Sequence, residues 1–434
     1  MSATIIFAIN FILYLWLLVK YKKKNKIDLY ILLVGFYTML AIASFIYVFQ
    51  FAQKSGEKVT YHLIPLLFLY SALGLLLVPI KRYSRWDKIA IIKPSNGKLK
   101  IIIAFIVVSV LVRIPSILLN FTETVQNALL DSALFYNTYN DHMSTYMEVQ
   151  RKESFNILTI ILGALDCYIP FFLMYYLTLK NRNKLVTGAL VLGMLISPIS
   201  GLGNAQRGII LSSLLSVVVA YFIFNDYIDG KIRKIVKVIG LSFVGLIVLM
   251  LSIITISRFS QDFMEEGNAT RSIFAYAGQP MLNFSSYGFE PGGIRHGDRT
   301  IPLVKSVLHI GGAYDYAHRM EAYPNLKMHE GIFSTFIGDF VSDYGVIVTI
   351  FIVIFMFAAF SHMIGIKKGK MSIDRLFALY ILSYIMLCGW NLYPFADFGG
   401  NLHLFIGITM YVFFMLDRKL LLKKAEKREQ YVLN

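Results

Sequence analysis

The sequence predicts an all-α polytopic membrane protein, from its composition and from the length of its apolar runs. Of the 434 residues, 57% are hydrophobic and 16% are charged, whereas soluble domains carry about 25% charged residues. The mean hydropathy is +0.62. Apolar runs long enough to cross a bilayer as helices recur along the chain. These observations together favour many membrane spans over a set of soluble domains.

Eleven helical spans are predicted from these runs. The first run precedes "KYKKKNK" and lacks the basic start and cleavage site of a removable signal peptide, so it is expected to remain as a span. Cys167 and Cys388 lie within predicted spans, which indicates packing roles and no disulfide framework. The predicted spans are residues 2–19, 28–50, 61–80, 101–119, 157–179, 185–199, 208–224, 235–256, 346–363, 376–390 and 402–416.

The distribution of lysine and arginine predicts an N-terminus outside and a C-terminus in the cytoplasm. With that orientation the inner segments hold 29 of the 42 basic residues, as the positive-inside rule requires. The net charge of +16 is then mainly an orientation signal. Nucleic-acid binding is not expected, because the basic residues lie in short loops at one membrane face. The inner segments are residues 20–26, 81–100, 180–184, 231–237, 367–375 and 417–434.

Arginine is concentrated on or near the predicted outer face. Of the 29 inner basic residues 22 are lysine, whereas the other 13 comprise eight arginines and five lysines. The planar guanidinium suits bidentate contact with phosphate, which an orientation charge does not require. Surface ion pairs and snorkelling side chains are the alternative interpretation. The eight arginines are Arg113, Arg151, Arg207, Arg258, Arg271, Arg295, Arg299 and Arg319.

A long predicted outer segment, residues 257–334, separates the eighth span from the ninth. It holds four of the eight histidines and four of the eleven prolines. Loops of this length are usually functional or disordered, and the absence of low complexity favours a folded extracytoplasmic subdomain. The predicted organisation is eight spans with an outer loop at 121–156 in residues 1–256, this subdomain, three spans in 335–416, and a basic cytoplasmic tail in 417–434.

Motifs of soluble catalysis are absent from the sequence, which has no Walker loop, dinucleotide fingerprint, GxSxG or HExxH. Asp315, His318 and Glu321 are spaced three apart, but on a helix that spacing forms a polar face more often than a metal site. No metal or cofactor is therefore expected. Asp166 lies within the fifth predicted span, and an ionisable residue at membrane depth is a functional candidate. Helix capping, or pairing with a polar group of a neighbouring helix, is an equally open interpretation.

The outer arginines favour group transfer from a lipid-linked donor. Nucleotide-activated sugars and ATP are not expected outside the cytoplasm, so a transferase there needs a donor already activated on a lipid pyrophosphate. Clustered arginines would hold the phosphates and stabilise the charge of the leaving group. A nearby histidine or carboxylate would accept the proton of an acceptor hydroxyl.

Several motifs resemble the bacterial O-antigen and capsule polymerases of the Wzy type, the oligosaccharide repeat unit polymerases. "GLGNAQRGIIL", with Arg207, resembles a turn that opens a helix in these polymerases, and "SRFSQDF", with Arg258, resembles their entry to a large outer loop. "STFIGDFVSDYG" resembles the exit from that loop, with Asp343 two residues before Gly345. "YAGQPMLNFSSYGFEPGG" and the layout of many spans around one large loop are also similar.

The resemblance implies the GT-C-like fold of lipid-dependent glycosyltransferases, in the bacterial cytoplasmic membrane. The implied reaction moves a growing glycan from undecaprenyl pyrophosphate onto an incoming lipid-linked repeat unit, without metal. Both lipid-linked glycans, membrane lipid and a chain-length regulator protein are the implied partners. The related O-antigen ligases have a histidine about eleven residues before the glycine, where this chain has Ser334. A ligase and a lipid-linked oligosaccharide flippase are the alternative functions.

The candidate site residues lie mainly in and around "EPGGIRHGDRT". This segment is expected to be a stiff loop that carries Arg295 and Arg299 to the level of the lipid headgroups. The alternative is a structural turn whose arginine–aspartate pairs close on themselves. The expected proton acceptor is one of His296, Asp298, His329 and Glu330, and the expected substrate-binding residues are Arg207, Arg258, Arg271, Arg295, Arg299 and Asp343.

Overall fold

The structure is a computed structural model, and it describes a large part of the chain. The predicted span 235–256, residues 131–156 of the predicted outer loop, and Arg258 lie wholly or mostly outside the described residues. The described residues are 2–21, 27–52, 59–86, 89–130, 161–203, 207–238, 240, 245, 269–366 and 369–432.

The described residues are mostly helical, with two short strands. Strand β1 (Ala90–Ile92) pairs in parallel with β2 (Lys370–Ser372). A π-helical turn, Val48–Ala52, follows the second helix, and a 3₁₀ turn, Asp166–Tyr168, precedes the fifth. In chain order the helices are α1 (Ala3–Lys20), α2 (Leu29–Tyr47), α3 (Leu63–Ser84), α4 (Asn96–Leu130), α5 (Ile169–Leu177), α6 (Lys184–Gly203), α7 (Arg207–Phe224), α8 (Ala269–Tyr287), α9 (Pro302–Val307), α10 (Tyr316–Ala322), α11 (Thr335–Met363), α12 (Ile373–Cys388) and α13 (Asp397–Val432).

Six helices of the described residues are long and apolar enough to cross a membrane. The prediction of an all-α membrane protein is confirmed to that extent, whereas the count of eleven spans stays a prediction. Two shorter apolar helices, Ile161–Leu177 and Gly208–Phe224, coincide with further predicted spans. The six candidate spans are Ala3–Lys20, Leu29–Ala52, Leu63–Ser84, Lys184–Gly201, Thr335–Met363 and Asp397–Lys423.

Helix α4 is longer than predicted. The apolar run predicts a span at 101–119, but the helix continues to Leu130, into the predicted outer loop. Neither glycine nor proline occurs between residues 116 and 130, so nothing in that stretch breaks the helix. The polar residues of this stretch ended the predicted span, but they do not interrupt the helix.

The described chain forms two compact units. The first comprises Met1–Asp87, Phe263–Ile364 and Leu382–Asn401. Within it α2 packs against α1 and α8, and α3 packs against α11. The side chain of Asp28 caps α2 by accepting a hydrogen bond from the Ile31 amide at 2.9 Å. The candidate loop residues therefore share one unit with the first three helices and with the start of α11.

The second unit comprises Lys88–Asp262, Gly365–Ile381 and Leu402–Asn434. Helix α6 packs against α4, α5 and α7 in this unit. Its core includes an aromatic group in which the Phe171 ring lies 5.1 Å from Phe224 and 5.0 Å from Phe377. Edge-to-face aromatic packing of this kind stabilises contacts between helices.

Helix α11 has two parts that meet at Gly345. Its backbone there has φ 76° and ψ 169°, a conformation that side chains other than glycine rarely adopt. Before Gly345, residues 335–343 are buried, and they include Asp339 and Asp343. After it, Phe351 and Phe355 are about 70% exposed in the chain alone, as expected for a surface that meets lipid. The second part coincides with the predicted span 346–363.

Candidate functional site

Backbone hydrogen bonds hold the candidate loop against α11 and the start of α13. The Arg295 amide donates to the Ser342 carbonyl at 2.9 Å, and the Asp397 amide donates to the Arg299 carbonyl at 2.8 Å. Between the two arginines, His296 and Gly297 have φ of 53° and 84°. Two left-handed residues in succession make a sharp turn, which brings both arginine side chains into the same buried region.

The turn positions an ion-pair network that we name the arginine cluster: Arg295, Arg299, Arg319, Glu330, Asp339, Asp343 and Asp397. Arg295 is at its centre, with a side chain only 1% exposed. Its Nη1 donates to Glu330 Oε1 at 2.9 Å, and its Nε lies 2.6 Å from Asp343 Oδ1. Its Nη2 lies 3.4 Å from Asp339 Oδ1. One guanidinium therefore contacts three carboxylates.

Arg319 and Arg299 extend the arginine cluster from α10 and from the loop. Arg319 Nε donates to Glu330 Oε1 at 2.8 Å, and its Nη2 lies 2.5 Å from Asp397 Oδ1. Arg299 Nη1 lies 3.2 Å from Asp339 Oδ1 and 3.3 Å from Glu330 Oε2. Neither Nη1 nor Nε of Arg299 has an aligned hydrogen-bond partner. Arg299 is thus the arginine of the cluster with the most unused hydrogen-bonding capacity.

Two carboxylates of α11 also fix the surrounding loops. Asp343 Oδ2 accepts hydrogen bonds from the Thr300 amide at 2.8 Å and from its hydroxyl at 2.6 Å. Asp339 Oδ2 accepts from the Tyr393 amide at 2.6 Å. Asp339 and Asp343 are four residues apart and lie on one helix face. Arg295 and Arg299 are also four residues apart, along the loop. Arg295 contacts both aspartates, whereas Arg299 contacts Asp339.

Asp397 differs from the other members of the arginine cluster in its exposure. Its side chain is 44% exposed, whereas those of the other six are at most 5% exposed. It begins α13 with φ 62°, in the left-handed region, which is uncommon outside glycine. The contact between Arg319 and Asp397 is therefore where the cluster reaches solvent.

Glu330 is held ionised by three guanidinium groups. Burial alone would raise the pKa of its carboxyl, but Arg299, Arg319 and Arg295 lower that pKa to about 2. Burial alone would lower the pKa of Arg319, whereas Asp397 and Glu330 raise it. Opposite charges in a poorly hydrated site stabilise each other in this way. Glu330 and Arg319 are thus both charged at neutral pH.

A second buried pair lies next to the arginine cluster. The ammonium of Lys305, in α9, contacts the carboxylate of Asp298. Asp298 also accepts hydrogen bonds from the Tyr323 hydroxyl at 2.6 Å and from the Ala313 amide at 2.8 Å. Burial alone would raise the pKa of Asp298, but these bonds from Lys305, Tyr323 and Ala313 lower it. Asp298 thus connects the turn to α9 through Lys305, and to the two ends of α10 through Ala313 and Tyr323.

The structure places the other predicted site residues at several locations. The side chain of His296 is exposed and that of His329 is partly exposed, so both histidines reach solvent. Each is adjacent in sequence to a member of the arginine cluster. Arg271 lies in α8 and is partly exposed. Arg207 is the first residue of α7. The predicted role of these two arginines in substrate binding stays a prediction.

Three members of the arginine cluster were not predicted as site residues: Arg319, Asp339 and Asp397. Asp339 carried a signal in the sequence, because it lies four residues before Asp343 and so shares its helix face. Arg319 lies in "DYAHRME", where the spacing of the acidic residues and histidine drew attention instead. Asp397 is 78 residues from Arg319, and nothing local in the sequence connects the two.

The residues considered for a metal site have another role. The Asp315 side chain accepts a hydrogen bond from the His318 amide at 2.8 Å and so caps α10. Among the described residues, no group of three or more histidine, cysteine, aspartate or glutamate side chains is arranged to hold a metal ion.

A separate ion pair lies within the second unit. Arg113 of α4 donates to both carboxylate oxygens of Asp166, at 2.9 and 2.5 Å, and the Ser197 hydroxyl of α6 donates to the same carboxylate at 3.1 Å. These contacts agree with the interpretation that Asp166 pairs with polar groups of neighbouring helices. The pair joins α4 and α6 at the 3₁₀ turn before α5.

The fold and these sites define the class of the protein: a helical membrane protein with a folded polar segment between its apolar helices. Comparison with protein-family models, with curated proteins and with solved structures finds no match.

Proposed function

We propose that the protein is a membrane glycosyltransferase that polymerises lipid-linked oligosaccharide repeat units on the outer side of the bacterial cytoplasmic membrane. In this proposal the glycosidic carbon of the donor leaves undecaprenyl pyrophosphate and bonds to a hydroxyl oxygen of the acceptor unit. The hydroxyl proton passes to a base, and undecaprenyl pyrophosphate is released. Eleven spans, a GT-C-like architecture and association with a chain-length regulator belong to the same proposal.

The observation that carries the proposal is the edge of the arginine cluster at Asp397. Two largely buried guanidinium groups, those of Arg299 and Arg319, lie behind one exposed carboxylate. A pyrophosphate, like a carboxylate, offers anionic oxygens that a guanidinium contacts in bidentate fashion, so it can replace Asp397 on Arg319. The unaligned donors of Arg299 then supply further hydrogen bonds. Fixed guanidinium groups in a site of low hydration stabilise a leaving pyrophosphate.

The remaining contacts divide the predicted arginine roles. Arg295 contacts three carboxylates and is almost wholly buried, so we assign it to holding the cluster together. Arg299 and Arg319 are assigned to phosphate contact. Arg207, Arg258, Arg271 and Asp343 keep their proposed part in substrate binding, in which Asp343 acts by positioning Arg295 and Thr300.

Among the four candidates for the proton acceptor, the environment favours the histidines. A general base needs a free lone pair and sufficient basicity. The low pKa of Glu330 and its three arginine partners oppose that role, and Asp298 is engaged by Lys305 and Tyr323. His296 and His329 reach solvent, and His296 is the freer of the two, because the Gly331 amide donates to Nδ1 of His329 at 3.3 Å. We therefore propose one of these two imidazoles as the base.

Gene deletion followed by gel separation of the surface polysaccharide tests the proposal. Loss of the polymer ladder, with single repeat units still attached at the surface, is the expected result. Accumulation of lipid-linked polymer that is never attached would identify a ligase instead. Repeat units trapped inside the cell would identify a flippase. Complementation with the wild-type gene, but not with an Arg319→Ala gene whose product reaches the membrane, connects the result to the arginine cluster.

The flippase is the second candidate because of the ion pair between Arg113 and Asp166. Charged residues at membrane depth often mark transport pathways. Their mutual bidentate contact, closed by Ser197, leaves polymerisation as the better supported proposal. Asp166→Asn would abolish export of repeat units if transport is the function.

A further inference from the structure

The second unit contains a groove with one cationic end and apolar walls. It lies along the first part of α4 and is closed on its other side by the end of α5 and the start of α6. Its volume is about 950 Å³, within the range of sites that hold organic ligands of several hundred daltons. The proposed polymerase reaction does not use it.

The cationic end is formed by three lysines from two separate segments. Lys93 lies in the connection between β1 and α4, Lys100 lies near the start of α4, and Lys180 lies between α5 and α6. None of the three ammonium groups forms an ion pair with a described residue. No acidic residue lines the described groove, and the amides of Asn96 and Asn181 lie at the same end. These groups together match a phosphate with several oxygen acceptors.

The walls of the groove are apolar along the axis of α4. Leu99, Ile103 and Val107 follow one another at intervals of four residues, and Lys100, Ala104 and Val108 form the adjacent row. Positions eight residues apart, such as the first and last of each row, are separated by about 12 Å along a helix. The groove therefore presents positive charge at one end and hydrocarbon contact for about 12 Å beyond it.

This arrangement has the chemistry of a lipid with an anionic headgroup. We propose that the groove binds an anionic glycerophospholipid of the bilayer, with its phosphate at Lys93, Lys100 and Lys180 and an acyl chain along the apolar row. Both lysine-bearing segments belong to regions that the positive-inside rule predicts to be cytoplasmic, where anionic lipids attract basic side chains. Val108 is 52% exposed, so the groove opens at its side to a neighbouring bilayer lipid.

Lipid retention by the purified full-length protein tests the proposal. The protein is equilibrated in detergent with phosphatidylglycerol or phosphatidylcholine, and bound lipid is counted by native mass spectrometry. Wild-type protein should retain phosphatidylglycerol in preference to phosphatidylcholine. The triple variant Lys93→Gln, Lys100→Gln, Lys180→Gln should retain phosphatidylglycerol roughly tenfold more weakly or worse, because each lysine near an anionic lipid contributes to its binding.

Two further variants separate the groove from general charge and folding effects. Lys98→Gln removes one positive charge from the helix turn that carries Lys100, but Lys98 stacks on the Phe413 ring at 4.4 Å and does not line the groove, so retention should not change. Ala104→Trp fills the apolar row from an exposed position and should expel the lipid while all three lysines remain. If the triple variant is misfolded, Ala104→Trp alone decides the result.

The proposal is overturned if wild-type protein retains both lipids equally, or if Ala104→Trp retains phosphatidylglycerol as well as wild type does. Displacement of phosphatidylglycerol by a far lower concentration of undecaprenyl phosphate would also overturn it, because the groove would then belong to the carrier lipid. None of these measurements depends on polymerase activity.

Discussion

The Nη2 atom of Arg319 lies 2.5 Å from Oδ1 of Asp397, and the arginine side chain is 2% exposed while the aspartate side chain is 44% exposed. A buried cation is thus covered by an exposed anion. In the proposed reaction, an incoming phosphate meets Asp397 first and displaces its carboxylate before it contacts Arg319. The carboxylate of Asp397 thus keeps Arg319 in place for the proposed phosphate, and it also competes with that phosphate for Arg319.

Asp397→Asn should therefore strengthen binding of pyrophosphate. The amide keeps the size of the side chain but carries no charge, so a phosphate displaces it more easily, and we expect a Kd several-fold lower, equivalent to about 1 kcal/mol. Binding of inorganic pyrophosphate to purified protein is measured by calorimetry. Glu290→Gln is the matched control, because it removes one charge from a carboxylate that is 81% exposed. Unchanged or weaker binding to Asp397→Asn would contradict the proposed site.

Arg295→Ala should destabilise the protein more than it affects any single binding step. Removal of the guanidinium leaves Glu330, Asp339 and Asp343 buried with fewer cations, and breaking a buried ion pair in this way costs about 3–5 kcal/mol. Arg295→Lys should recover only part of the loss, because an ammonium cannot reproduce the planar contacts. Thermal unfolding in detergent measures both variants. Lys327→Ala, whose side chain is 48% exposed and 3.9 Å from its partner, should change little.

The contribution of Glu330 to stability should disappear in acid. Its pKa falls from the usual 4.5 to about 2 in the folded protein. A lowered carboxyl pKa stabilises the folded state above the unfolded pKa, and that contribution is lost as pH falls through the folded value. The difference in Tm between wild type and Glu330→Gln should thus be constant above about pH 5.5 and shrink between pH 4.5 and pH 2. A difference that stays constant to pH 2 would show that Glu330 is not held ionised by the arginines.

Cysteine labelling should determine the orientation without removal of the native cysteines. Cys167 and Cys388 are buried and should not react with a membrane-impermeant maleimide. Gly311→Cys introduces a thiol where no atom lies within 4 Å of the added side chain, and it should react in intact spheroplasts. Lys419→Cys, at an exposed position in α13, should react only after permeabilisation. The reverse pattern would invert the predicted topology and place the arginine cluster in the cytoplasm.

The apolar runs predicted most of the helices because hydropathy and helix length are local properties. The same is true of part of the site. Arg295, Arg299 and Asp343 stood out from local motifs, and they lie in one network. Asp397 did not stand out, since it starts a helix whose sequence is unremarkable there and meets Arg319 only through the tertiary fold.

Glu330 shows a second limit of predicting the site from the sequence. Its sequence position suggested a proton acceptor, and its local neighbours carry no sign of the three arginines that surround it. The contacts that lower its pKa come from residues 11 to 35 positions away. A carboxylate's basicity is set by such partners, and a single sequence does not reveal them.

The separation of 78 positions between Arg319 and Asp397 along the chain also sets an order of events during synthesis. At typical elongation rates, roughly 4 to 16 s separate the emergence of the two residues from the ribosome. During that interval the segment that carries Arg295, Arg299 and Arg319 is outside the ribosome, whereas Asp397, whose carboxylate completes the network, has not yet emerged. The polar segment therefore reaches its final packing only after the last apolar helix has begun to emerge, and a truncation before residue 397 should leave it a substrate for membrane quality-control proteases.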